Sequence, residues 1–277
     1  MKISIITVCY NSVRTIGDAM ESVRRQTGVD IDYIVVDGGS TDGTVEEIKN
    51  CELRIANEGK RNFGFRWVSE RDRGMYDAIN KGVAMATGDV IGILNADDRL
   101  EDERVLADVV RAFSADSSIQ ATYGDVRFVR GEGTETVRYY SSGYWKRWMH
   151  RWGYMPAHPS VYVRKEVFGK YGGYKLGYDI SADFEWIVRT LCRARIRAQY
   201  LPRCMVTMRL GGRSTSGLRA MLKLNRECVR ANRENGYFCS LAMMVPKYFY
   251  KILALLIWRT ARRTVQVHRQ SGIISVH

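Results

Sequence analysis

The feature that most constrains the fold is a short apolar run that ends abruptly in acids. Residues 90–94 (VIGIL) are apolar and bounded by turn-forming residues, which is typical of a strand buried on both faces. Asn95, Ala96, Asp97 and Asp98 follow directly. In an open α/β sheet, ligands bind at the carboxyl ends of the strands. Carboxylate and amide oxygens in that position suit Mg²⁺ or Mn²⁺, together with the phosphates of a substrate.

The same acids admit a plainer interpretation, because Asp98 precedes a predicted helix and Asp is a preferred N-cap residue. That helix is predicted over residues 100–113. The sequence before residue 90 favours the interpretation of these acids as a ligand site. Apolar runs at residues 3–8 and 31–36 predict two more buried strands, and helical periodicity marks residues 75–86. This alternation predicts an α/β fold, with a largely parallel sheet and helices on both faces.

Polar residues follow each of these predicted strands. The first strand runs into a turn that contains Tyr10, and the second ends at Asp37 before the glycine-rich residues 38–43. Asp37 alone would be no more than a turn residue. Because the carboxyl ends of parallel strands meet at one edge of a sheet, Tyr10, Asp37 and the acids of residues 95–98 are expected to lie together. The pattern therefore favours a nucleotide-diphosphate site, with Tyr10 stacked on a base.

Composition narrows the class of protein. The 277-residue chain is 45% hydrophobic, enough for one large domain with or without an appendage. Its net charge of +13 favours an anionic partner: nucleic acid, a phosphorylated ligand or an acidic membrane surface. Six cysteines without a C-x-x-C pair argue against a zinc ribbon or a disulfide framework and fit a reducing cytoplasm. The strand-like run begins directly after Lys2, so we expect no signal peptide.

Two other classes of protein explain these features less well. A nucleotidyltransferase needs a glycine-rich, basic phosphate loop after the first strand, and residues 9–15 (CYNSVRT) do not supply one. A nucleic-acid-binding protein, suggested by charge alone, should carry basic residues along the sheet edge, where this chain carries acids. We therefore expect no nucleic-acid partner. A nucleic-acid-binding protein is the alternative if the chain is not an enzyme.

Four segments together resemble the amino-terminal half of inverting GT-A glycosyltransferases of glycosyltransferase family 2, especially the bacterial members that build surface polysaccharides. They are ITVCYNS (6–12), VVDGGSTDGT (35–44), DRGMYDAINKGVAMATGD (72–89) and LNADD (94–98). The resemblance covers roughly residues 1–212. It implies a GT-A fold, which is Rossmann-like, a nucleotide-sugar donor with UDP as the expected nucleotide, and Mn²⁺ or Mg²⁺ as cofactor.

The resemblance also assigns roles on the donor side. It implies that Thr7, Tyr10 and Asp37 contact the nucleoside, that Asn95 faces the ribose and that Asp97 binds the metal on the donor diphosphate. Asn95 departs from the family's usual Asp: its amide can bond to a hydroxyl group but brings no charge to a metal. Asp98 is expected to assist.

Further donor-side residues are suggested less specifically. Asp72 lies in a charged turn that is expected either to meet the donor or simply to be solvated. Lys81 stands where the family often has a basic residue near the donor, although a lysine on a helix is usually just exposed. Arg213 lies in a glycine-rich loop that resembles a loop which closes over the donor in relatives. Its side chain is expected to meet the diphosphate.

On the acceptor side, residues 180–188 (ISADFEWIV) match the family's catalytic-base segment at Asp183. Asp183 is expected to deprotonate the acceptor hydroxyl, with Glu185 as the alternative base. Both acids are also explained by the preference for negative charge in the first turn of a helix. His158 matches a histidine in the family's acceptor half, although a lone histidine is more often structural.

The carboxyl-terminal part carries a different signal. Aromatic and basic residues alternate over residues 144–154, which suits acceptor binding, membrane contact or plain packing. A basic helix is predicted over residues 218–235, and the apolar residues 238–258 are too interrupted to span a membrane. We therefore predict a glycosyltransferase domain over residues 1–217, divided near residue 115 into donor and acceptor halves. Residues 218–277 are predicted to be a basic, amphipathic helical appendage.

The predicted activity is transfer of a sugar, with inversion, from a nucleotide sugar to a hydroxyl group of a lipid-linked glycan. The expected location is peripheral, on the cytoplasmic face of the cell membrane, with the appendage anchored on anionic lipid. An oligomer formed through the carboxyl-terminal helices is the alternative role for that segment. Within the family, a polyprenyl-phosphate glycosyltransferase that uses a GDP- or UDP-sugar is the alternative activity.

Overall fold

A nine-stranded sheet organises the protein in the computed structural model, which describes residues 1–131, 133–210 and 217–248. The strands in chain order are β1 (Lys2–Cys9), β2 (Asp30–Asp37), β3 (Phe63–Ser69), β4 (Val90–Asn95), β5 (Asp98–Leu100), β6 (Ala121–Val129), β7 (Thr136–Tyr140), β8 (Tyr162–Arg164) and β9 (Ala198–Arg209). The α-helices are α1 (Ile16–Arg24), α2 (Thr44–Glu58), α3 (Met75–Met85), α4 (Val105–Ala115), α5 (Lys165–Tyr171), α6 (Ala182–Ile187) and α7 (Leu218–Glu234). Across the sheet the order is β3-β2-β1-β4-β8-β6-β9-β5, and β7 pairs with β6.

The first four strands along this order are parallel, as the sequence pattern predicts. Cys9 lies opposite Asp37, Asp37 opposite Ser69, and Val8 opposite Asn95. The carboxyl ends of β1, β2, β3 and β4 therefore stand at one level. This confirms the α/β architecture and places the polar strand ends along one edge.

Helices cover both faces of the sheet because alternate side chains of the central strands point to opposite sides. Ile3 and Ile5 of β1 lie in a core with residues of α1, α2 and α4. Ile6 and Val8 lie in a second core with residues of α3, α5, α6 and α7. Helix α7 thus shares its core with α6. The predicted domain division at residue 217 stays a prediction.

The second half of the sheet agrees with the sequence prediction in part. The alternating pattern of residues 121–129 and 136–140, joined through glycines, predicts an antiparallel hairpin, and β6 and β7 form it. The prediction of a helix from residue 100 was wrong at its start, since residues 98–100 form β5 against β9 and α4 begins at Val105. Asp98 is therefore a strand residue and not a helix cap.

Candidate active site

Asp37 is a fixed negative charge at the carboxyl edge of the sheet. Its buried carboxylate accepts hydrogen bonds from the backbone N–H groups of Gly39 at 3.1 Å and Ser40 at 2.9 Å. The hydroxyl of Ser69 donates at 2.6 Å and the thiol of Cys9 at 3.5 Å. Burial alone would raise the pKa of Asp37, but a hydrogen bond from the Ser40 hydroxyl, together with those above, outweighs it and lowers that pKa.

Tyr10 and Asp72 meet across Gly38, beside Asp37. A Cβ atom on Gly38 would lie 2.8 Å from Oδ2 of Asp72 and 3.4 Å from the Tyr10 ring, so any larger residue there would displace the Asp72 carboxylate. The Tyr10 side chain is half exposed, and Oδ1 of Asp72 accepts a hydrogen bond from the backbone of Gly74 at 2.8 Å. The structure thus brings together three of the residues predicted for the donor side.

Thr7 and Lys81 are both engaged in contacts within the protein. Thr7 is wholly buried, and its hydroxyl accepts a hydrogen bond from Tyr33 at 3.0 Å, so it lies beneath the edge without an exposed surface for a nucleoside. Lys81 forms an ion pair with Glu70 at 2.8 Å and donates to the carbonyl of Arg71 at 3.2 Å. Lys81 therefore fastens the loop that carries Asp72.

The two adjacent acids after β4 differ in environment. Asp98 is buried, and its carboxyl accepts a hydrogen bond from the Asn95 amide at 3.0 Å. Burial and the neighbouring charge of Asp97 raise the pKa of Asp98. Asp97 is partly exposed and forms no hydrogen bond or ion pair with any described residue.

Asp97 is therefore the carboxylate best placed to bind a cation. A partly exposed, unpaired carboxylate is a suitable ligand for Mg²⁺ or Mn²⁺. Within residues 1–131, 133–210 and 217–248, no group of three or more His, Cys, Asp or Glu side chains is arranged to hold a metal ion. A metal held by Asp97 would need its other ligands from water and substrate phosphates, as Mg²⁺ usually does.

Asp183, in the first turn of α6, faces the start of α3. Its Oδ1 accepts hydrogen bonds from the backbone of Phe184 at 2.8 Å and from the hydroxyl of Tyr76 at 3.2 Å. Tyr76 also lies 2.6 Å from the carbonyl of Ile180. Burial raises the pKa of Asp183, against the opposing effects of nearby His158 and these hydrogen bonds. A carboxylate with a raised pKa is a better proton acceptor, as a general base requires.

His158 lies near Asp183 and contacts the aromatic residues beside it. Its Nε2 lies 2.8 Å from the hydroxyl of Tyr174, and the Tyr174 ring stacks on Tyr76 with centroids 5.9 Å apart. Burial lowers the pKa of His158, which favours the neutral imidazole. The predicted histidine is thus close to Asp183, but its own contact is with Tyr174, which stacks on Tyr76.

Glu185 is an internal ion-pair residue. Its carboxylate is fully buried and pairs with Arg189 at 2.9 Å and Lys175 at 3.1 Å. The amide of Asn235 in the turn after α7 donates to it at 3.2 Å. With its oxygens already committed, Glu185 is not placed to accept a substrate proton, and the geometry favours Asp183 as the base.

Four further residues concern the site, of which one was predicted and three were not. Arg213 lies outside the described residues. Cys9, Ser69 and Tyr76 were not predicted as site residues. Cys9 and Tyr76 fall inside the segments that carry the family resemblance, so a signal was available for both.

Comparison with known proteins identifies the family. The profile described as Glycosyl transferase family 2 matches residues 4–178. The chain belongs to glycosyltransferase family 2. An uncharacterized glycosyltransferase of Mycobacterium tuberculosis is 32% identical over 195 residues, which cover 68% of each chain. A PGL/p-HBAD biosynthesis glycosyltransferase of the same species is 31% identical over 205 residues, covering 72% of this chain and 73% of the relative.

Solved structures show the same GT-A fold as this family 2 member. TarS of S. aureus in complex with UDP-GlcNAc superposes with a TM-score of 0.63 at 15% identity, covering 88% of this chain and 70% of TarS. The mannosyltransferase PcManGT of Pyrobaculum calidifontis, in complex with GDP-Man and Mn²⁺, gives 0.59 at 17% identity. That match covers 93% of this chain and 83% of PcManGT.

Proposed function

We propose that this glycosyltransferase moves a sugar from a UDP-sugar to a hydroxyl group of a lipid-linked glycan, and inverts the anomeric centre. The observation that carries the proposal is the position of Asp183. Tyr76, in the first turn of α3, donates a hydrogen bond to Asp183 of α6. The loop just before α3 carries Asp72, which lies close to Gly38 and Tyr10. A base and a nucleotide-binding edge are therefore adjacent.

The donor is proposed to bind along the edge from β2 to β4. Tyr10 stacks on the base, Asp37 fixes the nucleoside, and Asn95 bonds to the ribose. Asp97 would hold Mn²⁺ or Mg²⁺, which when bound neutralises charge on the leaving diphosphate. The complex of PcManGT with GDP-Man and Mn²⁺ supports this class of cofactor.

Asp183 is proposed to act as general base in a single displacement. It accepts the proton of the acceptor hydroxyl while that oxygen bonds to the anomeric carbon. The bond from that carbon to the diphosphate oxygen breaks on the opposite side, and the diphosphate leaves with the electron pair. One displacement inverts the configuration, and no covalent intermediate forms.

A donor screen tests the activity. We expect acceptor-dependent release of UDP from one UDP-sugar when Mn²⁺ is present, and a product with inverted configuration by NMR. Release of GDP instead would favour the alternative, a polyprenyl-phosphate glycosyltransferase that uses a GDP-sugar. A product with retained configuration would contradict the single displacement.

The proposed membrane contact is an exposed apolar surface, here called the aromatic face. It consists of Trp148, Trp152, Phe238, Leu241 and Val245, all substantially exposed. The 3₁₀ helices that carry most of it, Arg147–Trp152 and Leu241–Met244, lie side by side. Interfacial tryptophans of this kind are typical of membrane-binding surfaces.

Basic residues flank the aromatic face. A groove of about 500 Å³ beside Leu241 is lined by Arg226, Arg230 and Arg233 of α7, together with Glu234, which pairs with Arg230. Arginines next to exposed aromatic side chains suit the anionic headgroups of a cytoplasmic leaflet. No helix within the described residues is long and apolar enough to cross a bilayer. The apolar residues after 248 that were also predicted to contribute lie outside the described residues.

Vesicle sedimentation tests this contact. The full chain should sediment with anionic vesicles at low salt and be partly released at high salt, because salt screens the arginines. Trp148→Ser combined with Phe238→Ser should weaken binding by about tenfold or more, since burying each large apolar side chain contributes about 1.5 kcal/mol or more. Leu53→Ser, at an exposed leucine of α2, is the control and should change nothing. If the double variant instead changes the oligomeric mass, the face is a subunit interface.

A further inference from the structure

Helix α7 contacts the loop that leads into the proposed base. The carboxylate of Glu227 is largely buried and accepts three successive backbone hydrogen bonds. The N–H groups of Asp179 and Ile180 donate at 3.0 Å, and that of Ser181 at 2.8 Å. Asp183 follows Ser181 by two residues, so Glu227 holds the backbone from which the base projects.

The same loop is held from the donor side as well. Tyr76 of α3 lies 2.6 Å from the carbonyl of Ile180, whose N–H group bonds to Glu227. The peptide units before Asp183 are therefore fixed by α3 through a carbonyl and by α7 through N–H groups. The loop is short and is held by both helices. These contacts therefore define the direction of the Asp183 side chain.

A simple packing role does not explain a carboxylate in this position. Among the described residues, no lysine, arginine or histidine forms an ion pair with Glu227, so its charge is stabilised mainly by the N–H groups. A buried charge is costly unless it is hydrogen-bonded in this way. Charge-assisted bonds to backbone N–H groups are strong and directional, which suits a role in fixing loop geometry.

We propose that Glu227 is a positioning residue that orients Asp183 for proton transfer. The proposal rests on the proposed function, and makes α7 part of the catalytic apparatus. A reacting group displaced by about 1 Å can cost on the order of 100-fold in rate. Nucleotide binding should not depend on Glu227, because the proposed nucleotide contacts lie at the carboxyl ends of β1, β2 and β4.

Kinetics of the full chain, with amide hydrogen exchange, test the proposal. Glu227→Gln replaces one accepting oxygen by an amide NH₂ group. This group is itself a donor, so at least one backbone N–H group loses its acceptor. We expect kcat to fall about tenfold or more at unchanged nucleotide affinity, with faster exchange at residues 179–181. Glu46→Gln is the control: Glu46 is an exposed acid of α2 with no hydrogen bond or ion pair to residues 179–181, and the change should leave the 179–181 exchange and kcat unchanged.

The outcomes separate a positioning role of Glu227 from a general structural role. Faster exchange at an unchanged kcat would overturn the positioning role, and so would an equal loss of kcat and nucleotide affinity, which indicates a general structural role. If Glu227→Gln does not fold, Glu227→Asp keeps the charge on a shorter side chain and should show the same pattern at smaller size. If the wild-type chain turns over no donor, the proposed function fails, and the exchange result alone decides whether Glu227 orders the loop.

Discussion

Replacing Asp183 by Asn should lower kcat by about 100-fold or more while nucleotide affinity stays unchanged. Asparagine is nearly isosteric with aspartate but cannot accept the acceptor's proton, and loss of a general base typically costs 10²- to 10⁴-fold. The side chain is not part of the proposed donor edge, which explains the unchanged affinity. Initial rates and calorimetric binding of UDP measure the two effects.

The pH dependence follows from the same carboxylate. Because burial raises the pKa of Asp183, kcat/KM of the wild-type enzyme should fall with decreasing pH at values above the usual range for Asp. Below that pKa the carboxyl is protonated and cannot act as a base. This acid limb should disappear from the residual activity of Asp183→Asn.

Glu185→Gln is the control for this prediction. It should lower the free energy of unfolding by about 1–3 kcal/mol, because Arg189 and Lys175 lose a charged partner. Its acid limb should match that of the wild type. If instead Glu185→Gln loses the limb and Asp183→Asn keeps it, Glu185 is the base.

The donor edge could be predicted because it depends on local pattern. Each parallel strand is an apolar run that ends in polar residues, and parallel pairing places those ends together whatever the details of packing. Asp37 and Tyr10 therefore lie together where the sequence predicted. Gly38 is explained only by the structure, since its contact with Asp72 joins loops that follow different strands.

Residues defined by distant contacts could not be predicted. Residue type alone does not separate Glu185 from Asp183, two acids in one helical turn, although the family resemblance assigns the base to Asp183. In the structure, Glu185 differs by its contacts with Arg189, Lys175 and Asn235. β5 has three residues, too few to show a period, and it forms only because β9 pairs with it more than a hundred positions later. Thr7 has the alternation of a strand residue, but the sequence does not show that Tyr33 occupies its hydroxyl.

The remaining large effect concerns Asp97. Asp97→Ala should reduce transfer by about 10³-fold or more, because a bound metal contributes several kcal/mol of charge stabilisation and Asp97 is its proposed protein ligand. The fold should be almost unaffected, within about 0.5 kcal/mol, since the side chain is partly exposed and forms no hydrogen bond or ion pair with the described residues. Rates, melting temperature and the Mn²⁺ dependence of UDP affinity are the measurements.

Asn95→Asp is the companion variant in that experiment. It adds a carboxylate to this cluster in place of the amide that donates to Asp98, so metal dependence should be preserved or strengthened, while the side chain still bonds to a ribose hydroxyl as an acceptor. A collapse of activity in this variant would mean that the ribose contact is misplaced. Unchanged transfer in EDTA, or in Asp97→Ala, would remove the metal from the mechanism. Charge on the leaving diphosphate would then have to be neutralised by basic side chains, of which Arg213 is the predicted candidate.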